Sequence, residues 1–181
     1  MDHIYEGAFS RIILKPLTYE YIEQLRQLRN RDDIRCWFIN SSLISIEEQE
    51  NWYKKYLTNS KEYMFVAFEK KYPGVFIGSW GAYNFSDDGL IFEAGRRMIS
   101  YDKVSERGLG YDIVCCGLDT IFSNTKAEKV YSEVLSNNER SIHSNLKVGY
   151  KIIKTIKKGK HELVYLEMTK KEFYNNLSVN K

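Results

Sequence analysis

Between residues 63 and 99 the apolar residues fall into three short runs of β-branched and aromatic character: YMFVAFE (Tyr63 to Glu69), VFIGSWGAY (Val75 to Tyr83) and LIFEAGRRMI (Leu90 to Ile99). Runs of this length and make-up are strands. Asp87-Asp88-Gly89 is a turn signal between the last two and makes them an antiparallel pair. On both sides the period changes. Upstream, Ser10 to Leu17 reads as an opening strand closed by a proline, and Thr18 stands where it can cap a helix carrying Ile22, Leu25 and Leu28. Asn30-Arg31-Asp32-Asp33 interrupts that helix. Ser45 followed by Glu48 has capping-box spacing and opens a second helix with Trp52, Tyr53 and Tyr56. Downstream come a helix after Gly110, a strand from Lys129 to Leu135 and a helix from about Asn138 to Lys147. Two last strands follow, near Tyr150–Lys154 and Glu162–Met168, around the basic turn Lys157-Lys158-Gly159-Lys160. The order β-α-α-β-β-β-α-β-α-β-β predicts an α+β fold. Its sheet is mixed and mostly antiparallel, with roughly seven strands flanked by four helices.

A length of 181 residues fits one domain, at roughly 100–200 residues per domain. Hydrophobic residues at 43% and charged residues at 28% exclude wholesale disorder. The formal net charge of +3 is too mild for a dedicated nucleic-acid module, yet it suits one local anionic ligand. Cys36, Cys115 and Cys116 have neither an even disulfide framework nor metal-ligand spacing, and read as reduced thiols of a cytoplasmic protein without a metal site. The opening Met1-Asp2-His3-Ile4-Tyr5-Glu6 lacks a basic segment followed by an apolar one, and no run approaches the roughly 18 apolar residues of a membrane span.

The stretch richest in chemistry is Arg107-Gly108-Leu109-Gly110-Tyr111-Asp112, because it lies between a strand and a helix. Glycines there permit positive φ and close backbone approach, and the first N–H groups of the following helix can hold an anion. Arg107 adds a charge-assisted contact to a phosphate. A plain turn accounts for Gly-x-Gly alone. No Gly-Lys-Ser/Thr follows, so it is not a Walker loop, and the missing third glycine and the antiparallel strands upstream exclude a dinucleotide fingerprint.

About thirty residues on stand Glu133-Val134-Leu135, Asn138-Glu139-Arg140-Ser141-Ile142 and Leu146-Lys147-Val148-Gly149-Tyr150. An Arg-Gly-x-Gly-Tyr turn, a strand, Asn-x-x-Ser-Ile and a closing Leu-x-x-Gly-aromatic resemble the GNAT superfamily of acetyl-CoA-dependent N-acetyltransferases. Ile13-Leu14-Lys15-Pro16-Leu17 before two helices, and Glu93-Ala94-Gly95-Arg96, resemble its branch of ribosomal-protein, spermidine and nucleotide-aminosugar enzymes. Asp33-Ile34-Arg35-Cys36-Trp37-Phe38 and Ile44-Ser45-Ile46-Glu47-Glu48-Gln49 look closest to the aminosugar members. The resemblance spans about residues 11–169 of a single domain 1–181, leaving a C-terminal tail, 170–181.

This resemblance implies that acetyl-CoA enters where two parallel strands splay apart. Arg107, Gly108, Leu109, Gly110, Tyr111 and Asp112 would hold the pyrophosphate; the backbone of Met98, Ile99 and Ser100 would run beside the pantetheine, with Asn138 and Ser141 on its other flank. A backbone N–H at the end of the fourth strand would polarise the thioester carbonyl. Two departures stand out. Asp112 replaces the usual Gly or Ala, and its carboxylate would repel a diphosphate unless turned away. Asn145 replaces a tyrosine general acid, which leaves water, Ser144 or another tyrosine to protonate the thiolate.

Glu93 lies mid-strand among apolar residues, where a carboxylate needs a partner or a cleft. It is either paired with Arg96 or Arg97, or a general base for the acceptor amine, with His143 next in line. A Lys-like amine of pKa about 10.4 is neutral in roughly one molecule in 2,500 at pH 7, and an amine near 8 in roughly one in ten. For the latter a water-relayed carboxylate suffices. His3 and His161 read as surface or satisfied histidines, and the lysine run as a solvated hairpin. Trp37, Phe38, Trp52 and Tyr53 divide between core and an aromatic acceptor wall suited to a sugar face or a uracil ring, and Trp80 and Tyr83 join Trp37 and Phe38 as expected acceptor-binding residues. The expectation is direct acetyl transfer to a primary amine, foremost a nucleotide-linked amino sugar of bacterial surface glycans. Alternatives are a protein α-amine, a polyamine, or a degenerate fold that binds CoA or RNA without catalysis; a homodimer is compatible with all.

Overall fold

The computed structural model describes residues 3–179; Met1, Asp2, Asn180 and Lys181 lie outside the described residues. The elements run β1 (Gly7–Phe9), β2 (Ile12–Pro16), a 3-10 turn (Tyr19–Tyr21), α1 (Ile22–Asn30), α2 (Asp32–Arg35), α3 (Ile46–Thr58), β3 (Tyr63–Glu69), β4 (Tyr72–Tyr83) and β5 (Ile91–Ile99). They continue with α4 (Leu109–Asn124), β6 (Lys129–Leu135), α5 (Glu139–Val148), β7 (Lys151–Lys158), β8 (His161–Thr169) and α6 (Lys170–Val179). One sheet of eight strands takes the order β1-β2-β3-β4-β5-β6-β8-β7. Every neighbouring pair is antiparallel except β5–β6. The α+β class with a mixed, mostly antiparallel sheet is as the sequence predicts.

The counts differ for local reasons. β1 has three residues, too few to show a period, and forms a hairpin with β2 through Ser10 at φ 46°. The expected interruption at Asn30–Asp33 folds into the single turn α2. Residues 170–179 of the expected tail form α6 and set Phe173 fully into the core. Its start is fixed by reciprocal bonds, Thr169 N–H to Glu172 Oε2 at 2.9 Å and Glu172 N–H to Thr169 Oγ1 at 3.2 Å. The same spacing at Ser45 and Glu48 forms the expected capping box, at 3.1 and 2.7 Å. Thr18 makes no side-chain cap; its carbonyl instead accepts Tyr21 N–H at 3.1 Å, which tightens the entry into a 3-10 turn.

The central strands are covered on both faces. Phe65, Ala67, Ile77, Trp80 and Phe92 pack against Ile113, Leu118 and Phe122 of α4 and against Phe173. On the other face Met64, Val66, Phe68 and Met98 meet Leu25 and Leu28 of α1 and Tyr53 and Tyr56 of α3. Alternate β3 residues go to opposite cores, which is why that strand reads as an unbroken apolar run. Among the described residues no helix is long and apolar enough to cross a membrane.

α4 crosses the sheet so closely that a Cβ on Gly117 would lie 2.4 Å from the ring of Trp80, itself 1% exposed. Helix propensity favours alanine over glycine by about 1 kcal/mol, whereas overpacking a full core costs roughly 1–3 kcal/mol. Gly117→Ala is therefore expected to destabilise the protein despite the gain in helix propensity. A urea midpoint equal to or above wild type would contradict this packing.

Candidate active site

The parallel pairing of β5 with β6 covers three register pairs, Ile91–Lys129, Phe92–Val130 and Glu93–Tyr131, and then stops although both strands continue. The divergence begins beside an irregularity in β5. Ser79 faces Met98 but Gly81 faces Gly95, so Arg96 and Arg97 together oppose Trp80. Arg96 takes φ 50°, and the Ser79 hydroxyl donates to its carbonyl at 2.9 Å. This is a bulge, which bends the strand and raises its twist. The opening it leaves is a cavity of about 650 Å³, walled by α1, the α2–α3 loop and α3 on one side, by β4–β5 and β6, and by α5 on the other.

Glu93 holds the last paired position and is 9% exposed. Tyr83 Oη donates to its Oε1 at 3.1 Å and Asn84 Nδ2 to its Oε2 at 2.8 Å. The expected ion pair with Arg96 or Arg97 does not form. Arg96 pairs with buried Glu62 and lies 4.3 Å above the ring of Tyr83 and 5.9 Å from that of Trp52. Arg97 turns toward α5, donating to Ser144 Oγ at 2.8 Å, Ser141 Oγ at 3.1 Å and the Gly110 carbonyl at 3.4 Å. Burial, then the Glu93 charge, pushes the Tyr83 phenol well above its usual range, so it remains a donor. Burial and Glu93 likewise push Tyr131 up to about 12.

The glycine turn opens α4. Gly108 precedes the helix at φ 87°, and no side chain caps the first turn, so its leading N–H groups face outward. Asp112 does not face an anion held there. It is buried and receives Arg11 Nε at 2.7 Å, while Arg11 Nη1 also bonds Glu106 at 2.7 Å and the Arg107 carbonyl at 3.2 Å. Leu109 belongs to the core, Arg107 is exposed, and Lys147 lies 5.3 Å from the ring of Tyr111. Along β5, Ser100 N–H bonds the Ile77 carbonyl at 2.8 Å, so alternation turns the peptide of Ile99, not that of Ser100, toward the open edge. The expected free backbone at Ser100 is thus used by β4, and its hydroxyl by Asp102 at 2.9 Å.

On α5, Asn138 caps the helix by accepting Ser141 N–H at 3.1 Å, and Asn138, Ser141 and Asn145 line the cavity at helical spacing. Asn145 donates to Ser132 Oγ at 3.4 Å. His143 falls on the opposite face, exposed and outside the cavity, so the geometry does not bring it to the amine. Trp37 stands at the rim, 44% exposed; Phe38 is half-buried beneath the Arg29 guanidinium at 3.9 Å. Trp80 lines the floor but is chiefly a core ring against Phe65, and Tyr83 forms part of the wall. Trp52, one of the expected wall aromatics, lines the cavity, whereas Arg29, Gln49 and Ser132 line it and escape the sequence reading. Gln49 shares the spacing of Trp52, Tyr53 and Tyr56 on α3, which was the available signal.

A mostly antiparallel sheet opened at its one parallel pair, with an uncapped helix N-terminus beside the opening, defines the class of acyl-transfer enzymes built on this fold. The family described as acetyltransferase (GNAT) domain matches residues 11–151, and the chain belongs to that acetyltransferase family. Comparison with curated protein sequences yields no match. Among solved structures, that of apo FdhC, described as a nucleotide-linked sugar GNAT, is similar at a TM-score of 0.80 and 21% identity over 98% of this chain and 97% of that one. Spermidine N-acetyltransferase from Vibrio cholerae, in complex with CoA and spermine, gives 0.80 and 17% over 91% and 99%. Aminoglycoside acetyltransferase AAC(6')-Ib in complex with coenzyme A gives 0.77 and 18% over 91% and 98%.

The Arg11–Asp112 pair has a testable consequence. Arg11→Met leaves a buried carboxylate unpaired beside the turn, at a cost of roughly 1–3 kcal/mol. Stability and CoA affinity should both fall in that variant and recover in Arg11→Met/Asp112→Asn. Thermal melts and calorimetry check this; a double variant as weak as the single one would contradict it.

Proposed function

We propose that this acetyltransferase moves the acetyl group of acetyl-CoA directly to the amine of a nucleotide-linked amino sugar of bacterial surface glycan synthesis, as one cytoplasmic domain. The observation that carries the reading is Glu93: a buried carboxylate held by two neutral donors, unpaired with any cation, at the point where the cavity meets the splayed edge. Both bonds orient the carboxylate while leaving lone pairs for a proton taken from the amine, directly or through one water.

Acetyl-CoA supplies an activated acyl group. The α4 N-terminus with Gly108 and Gly110 suits its diphosphate, Ile99 offers a peptide to the pantetheine along the open edge, and Asn138 and Ser141 border the same arm. Ser144 Oγ accepts a bond from Arg97 but, like His143, does not line the cavity, which leaves water to protonate the departing thiolate in the role Asn145 cannot fill. Polyamine and aminoglycoside acceptors call for unengaged acids. Here Glu48 is held by the α3 cap, Glu133 by Lys158 and Glu93 by Tyr83 and Asn84. The likeness to a nucleotide-linked sugar GNAT supports the same choice. Trp37, Phe38, Trp52 and Tyr83 provide the aromatic wall for sugar or base.

Glu93→Gln tests the base. General-base contributions are about 10²–10⁴-fold, and an acceptor amine already partly neutral at pH 7 sits at the low end. We expect kcat to fall by roughly tenfold to a hundredfold with KM for acetyl-CoA unchanged, and the deficit to shrink as pH rises past the amine's own pKa. A variant whose pH–rate profile runs parallel to wild type from about pH 6 to 9 would remove Glu93 as base.

A further inference from the structure

Two side-chain nitrogens buried without a hydrogen-bond partner, Arg29 Nη1 and Gln49 Nε2, belong to residues that line this cavity. Both are donors, and both stand on the α1–α3 wall. Buried donors are normally paired, and an unpaired one costs roughly 1–3 kcal/mol, more when charged. Gln49 is 5% exposed.

Arg29 is fixed in orientation yet not in charge. Its Nη2 donates to the Asn40 carbonyl and its guanidinium stacks on Phe38 at 3.9 Å, which holds the planar group still and leaves Nη1 idle. Burial, then the charge of Arg35, lowers the Arg29 pKa. The carboxylates on the cavity wall, Glu48, Glu93 and Glu133, are each engaged elsewhere. A fixed guanidinium and a buried amide N–H on the same cavity wall, with no carboxylate paired to either, suit an oxyanion.

We infer that the acceptor carries an oxyanion, a phosphate ester or a carboxylate, and that Arg29 and Gln49 receive it on the α1–α3 wall of the cavity. The inference rests on reading this cavity as the acceptor site. Arg29 and Gln49 are then specificity residues that favour anionic amino sugars over the polycations accepted elsewhere on this fold.

The test uses protein saturated with CoA, so that the turn before α4 is already filled, and titrates inorganic pyrophosphate or malonate by calorimetry at low salt. Wild type should bind at least one of them; preference for pyrophosphate identifies a phosphate site, preference for malonate a carboxylate site. Arg29→Gln should weaken binding about tenfold to a hundredfold, the range of a charge-assisted hydrogen bond. Gln49→Met should also weaken it, yet melt no lower than wild type, because it removes an unpaired donor; a purely structural glutamine would lose stability and leave affinity alone. No binding by wild type, or wild-type affinity in both variants, overturns the inference. Nucleotide amino sugars acetylated with unchanged KM by both variants would also overturn it while leaving the proposed function standing. Pyrophosphate bound through Arg29 without acetylation of any nucleotide amino sugar would instead uphold the anion site and remove that function.

Discussion

The short parallel pairing of β5 with β6 is the constraint on which the rest of the site depends. Three register pairs are enough to align Glu93 with Tyr131, and the bulge at Arg96 and Arg97 then turns β5 away before further ladder bonds can form. A sheet interior with unpaired edges is costly unless something occupies it. The unpaired edge borders the cavity, so the missing ladder bonds and the candidate site are one feature. The bulge also sends consecutive arginines to different partners, Arg96 to Glu62 and Arg97 to Ser141 and Ser144 of α5.

Charge placement around the opening follows a division of labour. Where a carboxylate would obstruct an anion, it is neutralised, as Asp112 is by Arg11. Glu93, the proposed base, is held instead by the neutral donors Tyr83 and Asn84, which orient it. On the α1–α3 wall the order reverses, with a cation left unbalanced at Arg29. In the function proposed here, these three settings of one kind of interaction would serve cofactor, proton transfer and acceptor around a single cavity.

The sequence made most of the fold legible because β3 and β5 are short runs rich in β-branched and aromatic residues, β6 alternates and the Ser45–Glu48 box is a local signal. β1 escaped it for shortness. α6 escaped because only Phe173 is fully buried, with Tyr174 and Leu177 packed partly against the core, although Thr169 and Glu172 carried the capping spacing. For the site, the glycine turn and Glu93 were readable as types of residue in context. Their partners were not: Arg11 meets Asp112 across 101 positions of chain, and Arg97 meets Ser144 across 47. Helical phase alone separates His143 from Ser141 and Asn145, and that phase depends on where Asn138 starts α5.

The account turns on the acceptor. Its most direct test is to incubate the enzyme with acetyl-CoA and a panel of nucleotide-linked amino sugars, spermidine and peptides with free α-amines, and to identify the products by mass spectrometry. The account predicts an N-acetylated nucleotide sugar with stoichiometric release of CoA thiol, and little product from the polyamine or the peptides. Acetylated spermidine or peptide, with every nucleotide amino sugar recovered unchanged, would contradict it.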